Sequence, residues 1–192
     1  MLRIDPLNLR SILMAIALAA CSGQAHADAL DGVLEVRSAY VSMEGGVFLL
    51  HARIEYPVSP AIRDALHDGV TLTVDLDTRI ERERRFWFNA DVQELTLRRE
   101  LDYHAVSDRY LVRDVRSGTQ KSFATLEEAL ADLGAVDGWP VLIEPQLAPG
   151  NYRISVRAGV RRGRLPASLH ALMFWTDDWH RVSEWYTWSL PD

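Results

Sequence analysis

Stretches in which every second residue is apolar constrain the fold of this chain more than any other feature. The clearest one covers residues 70–77 (VTLTVDLD), where Val and Leu alternate with Thr and Asp. Successive side chains of a β-strand point to opposite faces, so this pattern predicts a strand with one buried and one wet face. Strands of that kind are typical of antiparallel sheets.

A hairpin is expected near the start of the globular part. Its first strand should bury one row of side chains and expose the other, with Leu34, Val36 and Tyr40 inside and Glu35, Arg37 and Ala39 outside. The paired glycines Gly45 and Gly46 supply the positive φ angles that a tight turn needs. Residues 48–56 then alternate again and form the returning strand.

Further alternating or aromatic-rich stretches predict additional strands. They lie at residues 95–103, 110–115, 152–157, 171–176 and 182–190. Seven or eight short strands at this spacing indicate a mainly β fold, an antiparallel β-sandwich with an Ig-like architecture. A closed barrel is the nearest alternative.

Two short helices are expected between the strands. Ser59 is a predicted N-cap, because Pro60 follows at the first helical position and Gly69 lies beyond the end. The second helix begins with a capping box, Thr125 followed three residues later by Glu128, and stops at Gly134.

The N-terminus has the pattern of an export signal. A short segment with two arginines precedes the apolar run Ser11–Ala20, which is shorter than the ~20 residues that span a bilayer as a helix. Ala25-His26-Ala27 offers the small-x-small cleavage pattern, which makes Asp28 the new N-terminus. We therefore expect a signal peptide over residues 1–27 and a single domain over residues 28–192, in the bacterial periplasm.

A second interpretation of the same segment concerns Cys21. Leu18-Ala19-Ala20-Cys21 has the form of a lipobox, whose cysteine is acylated and becomes the first residue of a membrane-anchored lipoprotein. The cleavage site after Ala27 favours the soluble form. Cys21 is the only cysteine, so no intramolecular disulfide stabilises the fold.

The charge of the mature chain excludes one class of partner. Loss of Arg3, Arg10 and Asp5 with the signal leaves 19 basic and 26 acidic residues, a formal net charge of −7. A nucleic-acid surface needs clustered positive charge, so no nucleic-acid partner is expected. Membrane contact is expected only through a lipid anchor on Cys21.

Several local motifs carry a resemblance to a known family. They are residues 98–105 (RRELDYHA), 122–130 (SFATLEEAL), 139–141 (WPV), 178–179 (DW) and 185–188 (WYTW). In order and spacing this pattern resembles a proteobacterial family known as the domain of unknown function number 4390. The resemblance implies an exported protein of unassigned activity, and it brings no catalytic residues with it.

The sequence contains no convincing catalytic or metal-binding constellation. Five histidines remain after export, without the spacing of a metal site. Asp177, Asp178 and His180 are better explained as a turn than as metal ligands. No Gly-x-Ser-x-Gly elbow is present, and adjacent strand residues such as Lys121 and Ser122 point to opposite faces. We therefore expect no enzyme activity, no metal and no cofactor.

Asp75 and Asp77 share one face of a predicted strand. Two carboxylates at that spacing are compatible with a glycosidase pair, whose carboxyl groups lie ~5–10 Å apart. A solvated strand face produces the same spacing, and this is the interpretation that we favour.

Two arginine-containing segments are candidate interaction surfaces. Arg84, Arg85 and Trp87 combine charge with aromatic character, as docking surfaces do, but we favour a charged strand end that leads into a buried aromatic turn. Arg153 and Arg157, with Arg161 beyond them, project from one face of a strand. They predict either an anion-binding stripe or, more often for such a row, ion pairs with a neighbouring strand.

Tryptophans crowd the C-terminus, at positions 175, 179, 185 and 188. Exposed tryptophans stack on sugars, but Trp185 and Trp188 are three residues apart and should face opposite sides of a strand. Core packing is therefore the favoured role. Together these features predict a non-enzymatic periplasmic module that binds another envelope protein. The alternatives are a glycan-binding or glycan-active protein and a purely structural lipoprotein.

Overall fold

The computed structural model describes residue 30 and residues 32–83, 90–143, 148–163 and 180–190. Its strands are β1 (Glu35–Glu44), β2 (Val47–Glu55), β3 (Leu72–Arg82), β4 (Ala90–His104), β5 (Arg109–Asp114), β6 (Gln120–Phe123), β7 (Ala135–Ile143), β8 (Tyr152–Arg162), β9 (His180–Val182) and β10 (Tyr186–Ser189). Its helices are α1 (Pro60–His67) and α2 (Leu126–Gly134). The described residues thus form ten strands rather than the seven or eight expected. The strand predicted at 171–176 lies outside them.

The strands form two antiparallel sheets. The small sheet has the order β1-β2-β7, and the large sheet has the order β10-β8-β3-β4-β5-β6, with β9 also paired to β8. Every pairing between neighbouring strands is antiparallel, as the alternating sequence pattern predicts. The sheets are open, so the closed-barrel alternative is wrong for the described strands.

One hydrophobic core joins both sheets and both helices. Fully buried side chains come from each of these parts, among them Leu50 of β2, Ile62 of α1, Leu76 of β3, Leu126 of α2 and Ile154 of β8. Burying a side chain of this size contributes about 1.5–3 kcal/mol. Because the chain has no disulfide, this shared core is the main source of its stability.

The first strand departs from the predicted alternation. The pairing of β1 with β2 shifts between Val36 and Ser38, which leaves Arg37 as the extra residue of a β-bulge. The extra residue exchanges the two faces beyond it. Ala39 is therefore buried and Tyr40 is exposed, the reverse of the prediction for these two residues.

Both helices begin as predicted. The Ser59 hydroxyl accepts a hydrogen bond from the Ile62 amide at 3.1 Å, and Pro60 occupies the first turn. The Thr125 hydroxyl accepts from the Glu128 amide at 3.2 Å. The Glu128 carboxylate in turn accepts from the Ala124 amide at 3.1 Å. Each cap satisfies amides that have no partner within the helix.

Strand β7 was not predicted from the sequence, because Gly138 and Pro140 interrupt its pattern. It pairs only with β2 among the described strands and so lies at an edge of the small sheet. An edge tolerates proline, since one side of the strand needs no amide donors. Gly138 adopts φ +66°, and the β2–β7 register shifts beside it. β7 is therefore a bulged edge strand.

Arg99 anchors α2 to the large sheet. It interrupts the apolar row of β4, and its guanidinium donates to the carbonyl oxygens of Asp132, at 3.1 Å, and Leu133. These carbonyls belong to the C-terminal turn of α2, which lacks intrahelical donors and carries partial negative charge. Burial lowers the pKa of Arg99 below its usual value. The interrupting arginine is thus a helix-capping residue.

Candidate interaction surface around Trp185

The exposed face of the large sheet carries a ladder of ion pairs. The three β8 arginines each contact a carboxylate from the β3 side: Arg153 pairs with Glu83 at 2.6 Å, Arg157 with Asp77 at 3.2 Å and Arg161 with Asp75 at 3.2 Å. The antiparallel β3–β8 register brings the two rows together. The prediction that these arginines form ion pairs with a neighbouring strand is therefore confirmed, and the alternative of an open anion-binding stripe is wrong.

The ladder continues onto β4. Arg98 pairs with Asp75 at 2.6 Å, so this carboxylate lies between two guanidiniums. Arg79 pairs with Glu94 at 2.7 Å across β3 and β4. Isolated exposed pairs contribute little to stability, but a network fixes long side chains in defined positions. The face is consequently both neutralised and ordered.

Trp185 lies on this ladder immediately before β10. The guanidinium carbon of Arg157 is 4.5 Å from the ring centroid, and that of Arg79 is 5.1 Å away. Both distances are within the range of favourable cation–π contacts. Arg79 and Arg157 stand on adjacent strands, so the indole lies across β3 and β8. It is half-buried, and its orientation is fixed by two cations that are themselves ion-paired.

Two cavities are lined by this indole. The first, of about 190 Å³, is lined by Trp185 together with Asp77, Arg79, Glu94 and Arg157. The second, of 220 Å³, is lined by Trp185 together with Arg79, Glu81, Arg153 and Ser155. We call Trp185 and the residues that line these two cavities the Trp185 surface. It combines one aromatic ring with charged side chains around two cavities.

Only some of the predicted interaction residues lie at this surface. Arg153 and Arg157 line the Trp185 surface. Arg84, Arg85 and Trp87 lie outside the described residues, as do Cys21, Ala27 and Asp28. Arg79 and Glu94 were not predicted as interaction residues from the sequence. Arg79 follows Asp75 and Asp77 in the same alternating row, and this was the signal available in the sequence.

The tryptophans of the C-terminal segment have different roles. Trp188 packs against the core, whereas Trp185 lies on the charged face, so the two do face different surroundings as predicted. Core packing is confirmed for Trp188 and is wrong for Trp185. Trp175 and Trp179 lie outside the described residues.

The residues considered for catalysis have other partners in the structure. Lys121 forms an ion pair with Asp132 at 2.6 Å, while the Ser122 hydroxyl lies 3.5 Å from Arg109. Asp75 and Asp77 are both held by arginines. Within the described ranges, no three His, Cys, Asp or Glu side chains are grouped so as to hold a metal ion. Asp177 and Asp178 lie outside those ranges.

The described residues form a mainly β protein with two open antiparallel sheets and two short helices. The chain belongs to the family described as domain of unknown function (DUF4390), whose model matches residues 32–189. No curated protein matches the chain, and no solved structure does. Among the described residues, no helix has the length and apolar character needed to cross a membrane.

Proposed function

We propose that this chain is an exported module of the bacterial periplasm that binds another envelope protein through the Trp185 surface. The observation that carries the proposal is the placement of Trp185, which is half-exposed, contacts two ordered arginines and lines two cavities. The signal-peptide pattern of residues 1–27 supports export and a domain over residues 28–192. The lipobox at Cys21 supports a membrane-anchored form as the alternative.

The chemistry of the surface favours a protein partner. Trp and Arg are the residue types that most often dominate the binding energy of protein interfaces. Ordering side chains on binding costs about 0.5–1.5 kcal/mol for each long one. At the Trp185 surface this cost is reduced, because the ion pairs hold Arg79, Arg153 and Arg157 in place before a partner arrives.

The architecture that we propose for the domain is a β-sandwich of Ig-like type. It is supported by a single core to which both the small and the large sheet contribute buried side chains. In that arrangement each sheet has one outer face. The Trp185 surface then occupies the outer face of the large sheet.

Comparative capture from native envelopes tests the proposal. The bait is the tagged mature protein, cross-linked in place, as wild type, as Trp185→Ala and as Met43→Ala. Met43 is a large exposed apolar residue of the small sheet and serves as the control. We expect a reproducible partner whose recovery falls at least about tenfold in Trp185→Ala, in line with a hot-spot loss of 1.4 kcal/mol or more. Failure to recover any reproducible partner, or equal recovery by both variants, would contradict the proposal.

A second candidate function is glycan binding, which one observation favours. Trp185 shares its first cavity with the carboxylates of Asp77 and Glu94, the combination of ring and hydrogen-bonding acceptors that sugar sites use. Titration of soluble peptidoglycan fragments with detection by tryptophan fluorescence tests it. A fluorescence change that is present in the wild type and absent in Trp185→Phe supports glycan binding. The absence of a change in both proteins would contradict it.

A further inference from the structure

Three polar side chains from three strands form a row on the small sheet. Ser42 of β1 lies with its Oγ 3.0 Å from Nε2 of His51 on β2. On the far side of the imidazole, Nδ1 of His51 lies 3.8 Å from Oδ1 of Asp137 on β7. Hydroxyl, imidazole and carboxylate therefore follow one another across three adjacent strands.

We propose that Ser42 is an activated nucleophile, with His51 as its general base and Asp137 as a positioning residue, for acyl transfer from uncharged esters. This goes beyond the proposed function, which assigns binding to the large sheet, and it departs from the expectation of no enzyme activity that the sequence motifs gave. A nucleophile and base about 2.6–3.2 Å apart, with a third group beside the base, are the geometric signature of such sites. The Ser42–His51 distance lies in this range, and the 3.8 Å between His51 and Asp137 is an electrostatic contact rather than a hydrogen bond. Triad members occur in any chain order, so their spacing in the sequence does not reveal them.

The position of Asp137 is built into the backbone. Between the pairs Leu50–Trp139 and Ala52–Val136, two β7 residues, Asp137 and Gly138, oppose His51 alone. Gly138 has φ +66°, a conformation that glycine adopts at little cost. A β-bulge of this kind re-aims a side chain, and here it turns Asp137 toward His51.

The surroundings of His51 define its proton arrangement. Arg53 donates to Asp137 at 2.9 Å and lowers the pKa of that carboxyl, so Asp137 is a carboxylate at neutral pH. A negative charge beside Nδ1 favours the tautomer with its proton on Nδ1. Nε2 is then free to accept the hydroxyl proton of Ser42. Tyr40 stacks on the imidazole at 4.8 Å and 7°, which fixes the plane of the ring.

Ser42 also lies beside potential donors for a developing oxyanion. Among the described strands β1 pairs only with β2, so it forms an edge of its sheet. Backbone amides alternate in direction along a strand, and therefore either the Ser42 amide or those of Val41 and Met43 point away from β2. Such amides are the donors that stabilise tetrahedral intermediates.

The neighbours of Ser42 indicate the substrate class. Leu49 stands directly opposite Ser42, and Pro140 stands opposite Leu49 on the next strand. Directly opposed residues share a face, so an apolar strip borders the hydroxyl. An ester with an apolar acyl chain fits this strip.

The proposed reaction uses the ester and water. The Ser42 oxygen bonds to the carbonyl carbon while its proton moves to His51 Nε2. The bond from that carbon to the alcohol oxygen then breaks, and the leaving oxygen takes the proton from His51. Water attacks the acyl-serine, returns a proton through His51 to the Ser42 oxygen, and releases the carboxylic acid.

Labelling with a fluorophosphonate probe tests the inference on the full mature chain. We expect one adduct, on Ser42, by intact mass and peptide mapping. The labelling rate should fall at least about tenfold in His51→Gln, since general-base catalysis supplies about 10²–10⁴-fold. Asp137→Asn should also slow labelling, and Asp137→Glu should restore part of the rate. A purely structural role for Asp137 would change the melting temperature without this pattern.

Ser117→Ala is the matched control. Ser117 is also an exposed serine, but its hydroxyl bonds to Thr119 at 3.0 Å rather than to a histidine. This variant should label at the wild-type rate. Absence of a Ser42 adduct on the folded wild type, or a His51→Gln rate equal to that of the wild type, would overturn the inference. Each variant is checked for cooperative thermal unfolding before labelling.

Discussion

Tyr56 is a buried tyrosine whose hydroxyl has no hydrogen-bond partner among the described residues. Burial raises the pKa of Tyr56 well above its usual value, and the nearby Arg99 only partly opposes this effect. A hydroxyl that loses its water on folding and gains no partner opposes folding by about 1–3 kcal/mol. The ring, in contrast, belongs to the core.

Tyr56→Phe should therefore stabilise the protein by about 1 kcal/mol, because it removes the hydroxyl and keeps the ring. Tyr110→Phe is the matched comparison, since its ring is equally buried but its hydroxyl lies 3.1 Å from His67 Nε2. That variant should lose about 1 kcal/mol. Urea unfolding of the two variants measures both values. A loss of stability in Tyr56→Phe would contradict the account.

At the scale of single elements, Gly134 shows how closely α2 approaches the small sheet. A Cβ placed on Gly134 would lie 2.2 Å from the carbonyl oxygen of Ile54. This helix end and β2 therefore pack backbone against backbone. The same glycine both ends the helix and permits the contact, although only its role as a stop signal is evident in the sequence.

Gly134→Ala should cost about 1–3 kcal/mol, because the helix must move away from β2 to accommodate the methyl group. Gly159→Ala in β8 provides the control, since its nearest neighbour would be a side-chain atom of Val182 at 3.6 Å, an ordinary contact. It should change the free energy of unfolding by less than about 1 kcal/mol. Chemical denaturation of the two variants distinguishes them, and equal losses would contradict the proposed approach of α2 to β2.

The elements that could be predicted are those whose pattern is local. In strand β3 apolar and polar residues alternate without interruption, and the N-cap residues Ser59 and Thr125 mark the starts of the two helices. A β-bulge cannot be predicted in this way, because its extra residue can be recognised only when the strand is aligned with its partner strand. The bulge at Arg37 exchanged the faces of Ala39 and Tyr40, and the one at Gly138 concealed β7 altogether.

At the scale of the whole molecule, the two candidate sites depend on contacts between residues far apart in the chain. The alternation of β8 was enough to place Arg153, Arg157 and Arg161 on one face and to favour ion pairs for them. It did not identify their partners on β3, since strand order is not encoded locally. The contact of Trp185 with Arg79 joins residues more than a hundred positions apart, and no local pattern predicts it.

Acid should weaken the whole fold through carboxylates whose pKa lies below the usual value. Burial raises the pKa of Asp114, but amide hydrogen bonds from Ser117 and Arg116 outweigh it and the net shift is downward. The pKa of Glu127 is lowered by its own backbone amide and by Arg63. That of Asp137 is lowered by Arg53. All three groups are therefore better ionised in the folded state than in the unfolded one.

The sign of the resulting pH dependence follows from this difference. Above the unfolded carboxyl pKa, roughly 4, both states are ionised and stability is constant. As the pH falls below that value, the unfolded state binds protons first, so the free energy of unfolding decreases until the folded carboxyls also titrate. Urea midpoints at about pH 7, 5, 4 and 3 should be level at first and then decline. The urea midpoint of Asp114→Asn should decline less steeply with falling pH than that of the wild type. The asparagine retains an acceptor for the amides of Arg116 and Ser117 but cannot titrate. Parallel curves for the two proteins down to the lowest pH would show that Asp114 does not contribute.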